Sequence, residues 1–430
     1  MKPLQREIAR FLLVLLIAFA ARMAFAVWWQ RTHIASDQQF EFPDSQSYWE
    51  LGQHMARGES YQFGTPDQRV SRAPGYPLIL AGMFRLVGND ATPFAARVLG
   101  AAIGALSVAA VYWLARISFS PDVALVAAGL VALYPEAIAT SVFPLSDGPF
   151  CLWMLLQLVF LRLATTATPQ RDLAYAILAG VLGGVASLTR PSWLLFTPLV
   201  VAIWVIGTRF EKRQLLLSVT MLIALAVVML PWWVRNWNVI GRFVPTTLQV
   251  GASLYDGLSP EADGSSDMRF VPRIEAQLRA ADAANPPAAS DPPFEWRIDR
   301  LMRSESLDWA AAHPGRVLQL AGTKLLRLWN VWPNEPSFRS WWARMAILLT
   351  YTPIMALAIA GAWRFRHRLN VLLLVSPAVY LTALHVVFIG SLRYRQPAML
   401  TLAILAAAAV CSFAGRGIAR ESHTDPIASH

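Results

Sequence analysis

The sequence predicts an all-α polytopic membrane protein of about ten transmembrane helices, with two long extracytoplasmic loops that carry interfacial helices. Three observations lead there. Of the 430 residues, 56% are hydrophobic and 15% charged, with a mean hydropathy of +0.43, too apolar for an ordinary soluble globule. Apolar runs of about 20 residues recur, the length a helix needs to cross a hydrocarbon layer of about 30 Å. Arginines crowd the short connections between these runs, while two of the connections are far too long to be turns.

In order, the runs are 11–29, 93–115, 122–139, 148–165, 173–189, 191–207, 215–233, 341–361, 370–388 and 396–414. Arg6 and Arg10, Arg116, Arg162 and Arg171, Arg209 and Arg213, Arg364 to Arg368, and Arg416 and Arg420 all fall on one side, which the positive-inside rule makes the cytoplasm. The chain then divides into three parts: a transmembrane module over 1–233 containing a first outer loop at about 30–92, a second outer loop over 234–340, and C-terminal helices with a cytoplasmic tail over 341–430.

The N-terminus imitates a signal peptide, but Arg22 and the pair Trp28 and Trp29 fit a retained first helix whose outer end sits in the aromatic belt. After it, "FPDSQSYWELGQHMARG" places Pro43 and Asp44 before an amphipathic helix from about Ser45 to Ala56, with Gly58 set to end it. Asp44 is either that helix's cap or a base facing a lipid-borne substrate. In "RVSRAPGYPLILAGMFRLVG", Pro74, Gly75 and Pro77 work against a regular start, and Tyr76 to Val87 is too short to span, so the segment skims or re-enters the outer surface.

Asp147 in "FPLSDGPF" opens the fourth span, again with a helix-start role as the simple account, and Arg190 in "SLTRPSWLLF" marks a reversal on the same side. "GVLGG" at Gly180 to Gly184 lies within a span, where close helix packing explains it. The second outer loop contains a low-complexity linker, Ala280 to Trp296, and then Val317 to Trp332, whose interleaved apolar and basic residues suit the membrane interface. "FIGSLRYRQPAML" brings Arg393, Tyr394 and Arg395 to the outer mouth between the last two spans, either as a grip on phosphate or as snorkelling side chains.

Several classes of chemistry find no foothold. Cys151 and Cys411 lie at opposite depths, out of disulfide reach. His33, His54, His313 and His385 have no partner at metal-ligand spacing, and no glycine-rich nucleotide loop is present, so neither a metal nor a cofactor is expected. A net charge of +10 would suit nucleic acid in a soluble protein. Here the outer arginines adjoin membrane spans, and a phosphate at the lipid surface is the nearer partner.

The order of these pieces, from the Asp44 motif through "RAPGYPLIL", "FAARVLGA", "SLTRPSWLL" and "RNWNVIGRFVPTT" to "GSLRYRQPAML", resembles the GT-C superfamily of integral-membrane glycosyltransferases. Within it, the likeness is to the protein O-mannosyltransferase and lipid A aminoarabinose transferase branch. The resemblance implies an enzyme that moves a hexosyl or pentosyl group from a polyprenyl-phosphate carrier to a lipid, protein or polysaccharide acceptor. It implies catalysis on the outer face of the membrane, where attack opposite the departing phosphate would invert configuration; the alanine- and arginine-rich composition, with Lys2, Lys212 and Lys324 as the only lysines, points to a bacterial plasma membrane. It makes Asp44 the active-site aspartate, here read as the catalytic base, and brings Arg72, Arg393 and Arg395 to the carrier phosphate; by their place in the sequence Tyr394 is expected to join these phosphate contacts, and Tyr48, Tyr76, Asp147 and Arg190 to line the substrate site. Many relatives carry glutamate where this chain has Asp147, and this chain shows no sizeable further C-terminal domain. A transporter or flippase of a polyprenyl-linked sugar, or an O-antigen ligase or polymerase, is the competing expectation. The spans hold few charges and no repeated halves, which argues against transport.

Overall fold

The computed structural model describes residues 3–32, 40–65, 67–288, 290–332 and 340–416, and His33 lies outside them. Every regular element among these residues is helical. The first span, α1 (Pro3–Thr32), leads to two helices of the first outer segment, α2 (Pro43–Arg57) and α3 (Gly75–Val87). Next come α4 (Pro93–Ser118), α5 (Pro121–Leu133), α6 (Pro135–Val142), α7 (Asp147–Thr166) and α8 (Asp172–Thr189). A 3-10 turn at Pro191–Trp193 precedes α9 (Phe196–Gly207) and the long α10 (Lys212–Ile240). The second outer segment folds as α11 (Val250–Gly257), α12 (Val271–Ala284), α13 (Phe294–Ala312) and α14 (Pro314–Trp329). The chain closes with α15 (Trp341–Arg364), α16 (Leu369–Val387) and α17 (Leu392–Phe413).

All ten expected apolar runs are helical, but two differ from a straight span. Eight helices, α1, α4, α7, α8, α10, α15, α16 and α17, are long and apolar enough to cross a bilayer. The run expected at 122–139 is instead a broken pair, α5 and α6, bent by 62°. Pro135 causes the break: its ring drives Tyr134 out of the helical region, to φ −72° and ψ 114°. The carbonyls freed at the end of α5 are met by Arg22 of α1, whose guanidinium donates to the carbonyls of Ala132 at 3.2 Å and Val131 at 3.4 Å and to Ser141 Oγ at 3.2 Å. Within a bilayer no water can do this, so an arginine buried in the bundle becomes a helix cap. The run at 191–207 likewise begins with a 3-10 turn set by Pro191 and leaves α9 too short to span alone.

Small residues decide how closely the spans approach. A Cβ on Gly180 of α8 would meet the Met221 carbonyl of α10, and one on Gly184 would sit 2.7 Å from Val228 Cβ. This is the close packing expected of "GVLGG". The alanine-rich α17 lies at the centre, with 83% of its apolar window buried, against 17% for α1 and 28% for α15, which face lipid. Its first turn, half-buried from Leu392 to Tyr394, lies at one end of the bundle.

The outer segments also depart from expectation in detail. The skimming helix starts at Gly75, with Pro77 accepted in the first turn, where no helical partner for its missing N–H exists. The linker expected at 280–296 is partly helical, because α12 runs to Ala284 and α13 begins at Phe294. The interfacial helix α14 leaves Leu318 and Leu326 three-quarters exposed, at 75% and 74%, yet turns Lys324 fully inward. Lys324 Nζ donates to the carbonyls of Gly257 at 2.8 Å and Val387 at 2.6 Å, pinning the ends of α11 and α16.

Candidate active site

At one end of the bundle, five charged side chains from distant parts of the sequence converge. Asp44 is not a helix cap. Phe42 occupies the cap position without a side-chain hydrogen bond and Pro43 starts the helix, so Asp44 falls one residue inside it. Its carboxylate points elsewhere: Oδ1 accepts from Arg72 Nη2 at 2.8 Å and Oδ2 lies 3.4 Å from Arg393 Nη1. The side chain keeps 36% of its surface exposed. The first turn of α2 still favours its negative charge through the helix dipole.

Asp147 is fully buried and is not a cap either, since Ser146 holds the cap position and Asp147 is the first residue of the helix. Its Oδ2 receives Arg393 Nη2 at 2.7 Å and Nε at 2.8 Å, and its Oδ1 is paired with Arg190 at the end of α8. Thus Arg393, at the start of α17, bridges the two carboxylates, one exposed and one buried. Arg72 comes from the irregular segment before α3, where no helix could direct it, and is held by three further contacts. Its Nε donates to Ser47 Oγ at 3.1 Å, its Nη1 donates to Gln249 Oε1, and its backbone carbonyl accepts Tyr61 Oη at 3.1 Å.

Aromatic rings complete the wall. Tyr48 lies beneath Arg72, 5.6 Å from the ring centroid to the guanidinium carbon, and packs edge-on against Tyr76 at 5.3 Å. Tyr48 Oη also reaches Ser146 Oγ at 3.3 Å. Tyr394 stacks on His385 at 4.3 Å and presents its other surroundings to Arg190, 4.9 Å away. These contacts keep the guanidiniums oriented while their apolar neighbours restrict hydration, which strengthens their pull on an anion.

The structure thus brings together Asp44, Arg72, Asp147, Arg190, Arg393, Tyr48 and Tyr394, with Tyr76 behind Tyr48. It does not bring in Arg395. Arg395 is wholly buried, pairs with Glu136 Oε1 at 2.7 Å and lies over the Tyr351 ring at 3.8 Å. Successive residues on a helix point about 100° apart, so Arg393 and Arg395 cannot share a target. Gln396 and Tyr134 hold the other oxygen of Glu136, making a separate polar knot between α6 and α17. Ser47 and Gln249 were not anticipated. Ser47 sits three residues from Asp44 on α2, a spacing that offers it; Gln249 lies in a polar stretch with no distinguishing pattern.

Three guanidiniums face two carboxylates here, so the cluster keeps one positive charge in excess. For Asp44, burial pushes the carboxyl pKa up, but Arg72 and Arg393, with Arg190 behind them, outweigh it and hold the pKa below the usual aspartate value. The carboxylate is ionised at neutral pH. Among the described residues, no group of three or more histidine, cysteine, aspartate or glutamate side chains is arranged to hold a metal ion.

Residues 71–233, less than half of the chain, match the family model of dolichyl-phosphate-mannose-protein mannosyltransferase. The match includes Arg72, Asp147 and Arg190 and stops short of Asp44 and Arg393. No curated protein matches the chain in sequence. Among solved structures, the archaeal oligosaccharyltransferase AglB from Archaeoglobus fulgidus, in complex with an inhibitory peptide and a dolichol-phosphate, superposes with a TM-score of 0.61 at 16% identity, over 94% of this chain and 50% of that one. The same enzyme tethered to an acceptor peptide containing the NVT sequon gives 0.59 at 17% identity, over 94% and 49%. ArnT from Cupriavidus metallidurans bound to undecaprenyl phosphate gives 0.47 at 18% identity, over 95% and 78%. The chain spans about half the length of the oligosaccharyltransferase, and shares with it an all-helical, polytopic membrane fold.

Proposed function

We propose that this protein is a glycosyltransferase that moves a sugar from a polyprenyl-phosphate carrier to an acceptor hydroxyl at the extracytoplasmic face of the membrane. The observation that carries the reading is the ionised Asp44 held between Arg72 and Arg393, in a cluster one positive charge in excess, at the mouth of a membrane bundle. The match to a mannosyltransferase family model and the shared membrane-glycosyltransferase fold support it.

In the proposed reaction the carrier phosphate takes over contacts that Arg72 and Arg393 make with Asp44. Losing those partners raises the carboxylate's basicity, so arrival of the donor itself prepares the base. The acceptor oxygen then attacks the anomeric carbon and its proton passes to Asp44. The bond from that carbon to the phosphate oxygen breaks, its electron pair leaves with the polyprenyl phosphate, and configuration inverts. Arg72 and Arg393, fixed by Gln249, Ser47 and Asp147, stabilise the charge gathering on the leaving phosphate. Arg190, through the other oxygen of Asp147, and Tyr394 support Arg393, while Tyr48, backed by the buried Tyr76, offers the apolar and hydroxyl surface against which a sugar ring packs. By this reading Arg395 serves the α6–α17 knot and not the phosphate.

The test is release of polyprenyl phosphate by the purified protein in lipid nanodiscs, offered a panel of polyprenyl-phosphate sugars and a bacterial membrane extract as acceptor. Acceptor-dependent release with sugar transfer is expected for one donor. No release from any donor, together with movement of labelled donor across proteoliposomes, would replace transfer with transport.

A further inference from the structure

Helix α13 lies in the second outer segment, more than two hundred residues from Arg72 in sequence, yet its first turns hold the backbone on both sides of the Arg72–Gln249 contact. Glu295 is buried, at 5% exposure, although it is a carboxylate in a surface helix. Its Oε2 accepts the backbone N–H of Arg69 at 2.9 Å and its Oε1 that of Val70 at 2.8 Å. One turn later on the same face, Asp299 Oδ1 accepts the backbone N–H of Gly251 at 2.6 Å while its Oδ2 binds Arg303 at 2.8 Å. Gly251 approaches α13 so closely that a Cβ there would strike the Asp299 carbonyl. Leu248 N donates to Val70 O at 3.0 Å, tying the two gripped segments together, and Trp296 packs with Val70 and Leu248 in one apolar cluster.

These two segments are the ones that deliver Arg72, two residues after Val70, and Gln249, two residues before Gly251. The segment before Arg72 is irregular, and Gln249 is the residue that caps α11, whose first-turn N–H at Gly251 has no partner within its own helix, so both side chains depend on α13 to fix the backbone behind them. Burial pushes the Glu295 carboxyl up to about 7, with the two backbone N–H groups and the nearby Arg69 and Arg235 only partly offsetting it. Burial disfavours the charged form of this carboxyl, yet an apolar side chain in its place would leave the two backbone N–H groups without a partner. What the carboxylate uniquely supplies is two acceptor oxygens for two adjacent backbone donors.

We propose that Glu295 and Asp299 of α13 are positioning residues that set the affinity of the site for the carrier phosphate by fixing the backbone behind Arg72 and Gln249. This rests on the reading that Arg72 contacts that phosphate.

The experiment titrates a polyprenyl monophosphate against the full-length protein in nanodiscs, for wild type, Arg72→Ala, Glu295→Gln and the double variant. Glu295→Gln replaces one acceptor oxygen with a donor and is expected to weaken binding about tenfold. If it acts through Arg72, that loss vanishes in the Arg72→Ala background; a merely structural loss would be the same in both. Unchanged affinity in Glu295→Gln, or additive losses, overturns the inference while leaving the phosphate site standing. If wild type fails to bind the probe, or Arg72→Ala binds it as wild type does, the functional reading falls and takes this inference with it. Should Glu295→Gln fail to fold, Asp299→Asn in wild-type and Gln249→Ala backgrounds gives the same test: a loss confined to the wild-type background supports the inference, and additivity or no effect overturns it.

Discussion

Replacing Asp44 by asparagine separates the two things its carboxylate is proposed to do. The substitution is nearly isosteric and keeps an oxygen toward Arg72, but it deletes the proton acceptor and leaves three guanidiniums against Asp147 alone. Loss of a positioned base lowers turnover by about 10²- to 10⁴-fold. Binding should move the other way. A carboxylate about 7 Å from a phosphate repels it by roughly 2 kcal/mol at an effective dielectric constant of about 20. With 36% of the Asp44 side chain exposed, solvent screening reduces this to about 1 kcal/mol. Asp44→Asn should therefore bind polyprenyl phosphate about fivefold more tightly while transferring sugar at most one-hundredth as fast. The assay pairs carrier binding in nanodiscs with single-turnover transfer from a saturating donor. A variant that transfers at the wild-type rate refutes the base. One that loses transfer and binding together, with its melting temperature intact, shows Asp44 acting only to hold the arginines in place.

Three further outcomes follow from the same contacts. Asp147→Asn leaves Arg190 and Arg393 without their buried counter-charge and should cost about 3 kcal/mol or more of stability, read as a lower melting temperature in detergent; an unchanged transition would contradict the buried bridge. Glu136→Gln should destabilise the protein by a similar amount by breaking the Arg395 pair, while folded protein retains wild-type carrier affinity, because that knot lies outside the site. Glu295 has a folded pKa near 7, above its ordinary value near 4.5, so its contribution to stability is fully present below about 4.5 and is lost as pH rises through 7. Wild type should accordingly gain thermal stability between pH 8 and pH 5 from this group, and Glu295→Gln should show a flatter profile over that window; parallel profiles would remove Glu295 as the titrating group.

The membrane class, the order of the helices and the clustering of charge at helix ends were legible because they depend on local properties. A bilayer demands apolar length, and length is visible in a one-dimensional string. Even the irregularities had local signals: Pro135 breaks a span and Pro191 shortens one, although periodic hydrophobicity alone reads through both. Asp44, Asp147, Arg190 and Arg393 could be singled out as charges at helix ends on one side. Their mutual pairing could not, and for the two aspartates the helix-end position suggested caps that the fold does not use.

What the tertiary structure alone decided was which charges meet. Arg393 and Arg395 are equivalent in the string, yet helical rotation turns one to the mouth and buries the other against Glu136. Arg22, Lys324 and Glu295 look like membrane-edge or surface residues, yet each is buried because a helix end or irregular backbone needs a partner that no water supplies. Sequence fixes what each element must hide from water or lipid. Only packing decides which distant backbone group or charge fills the vacancy beside it.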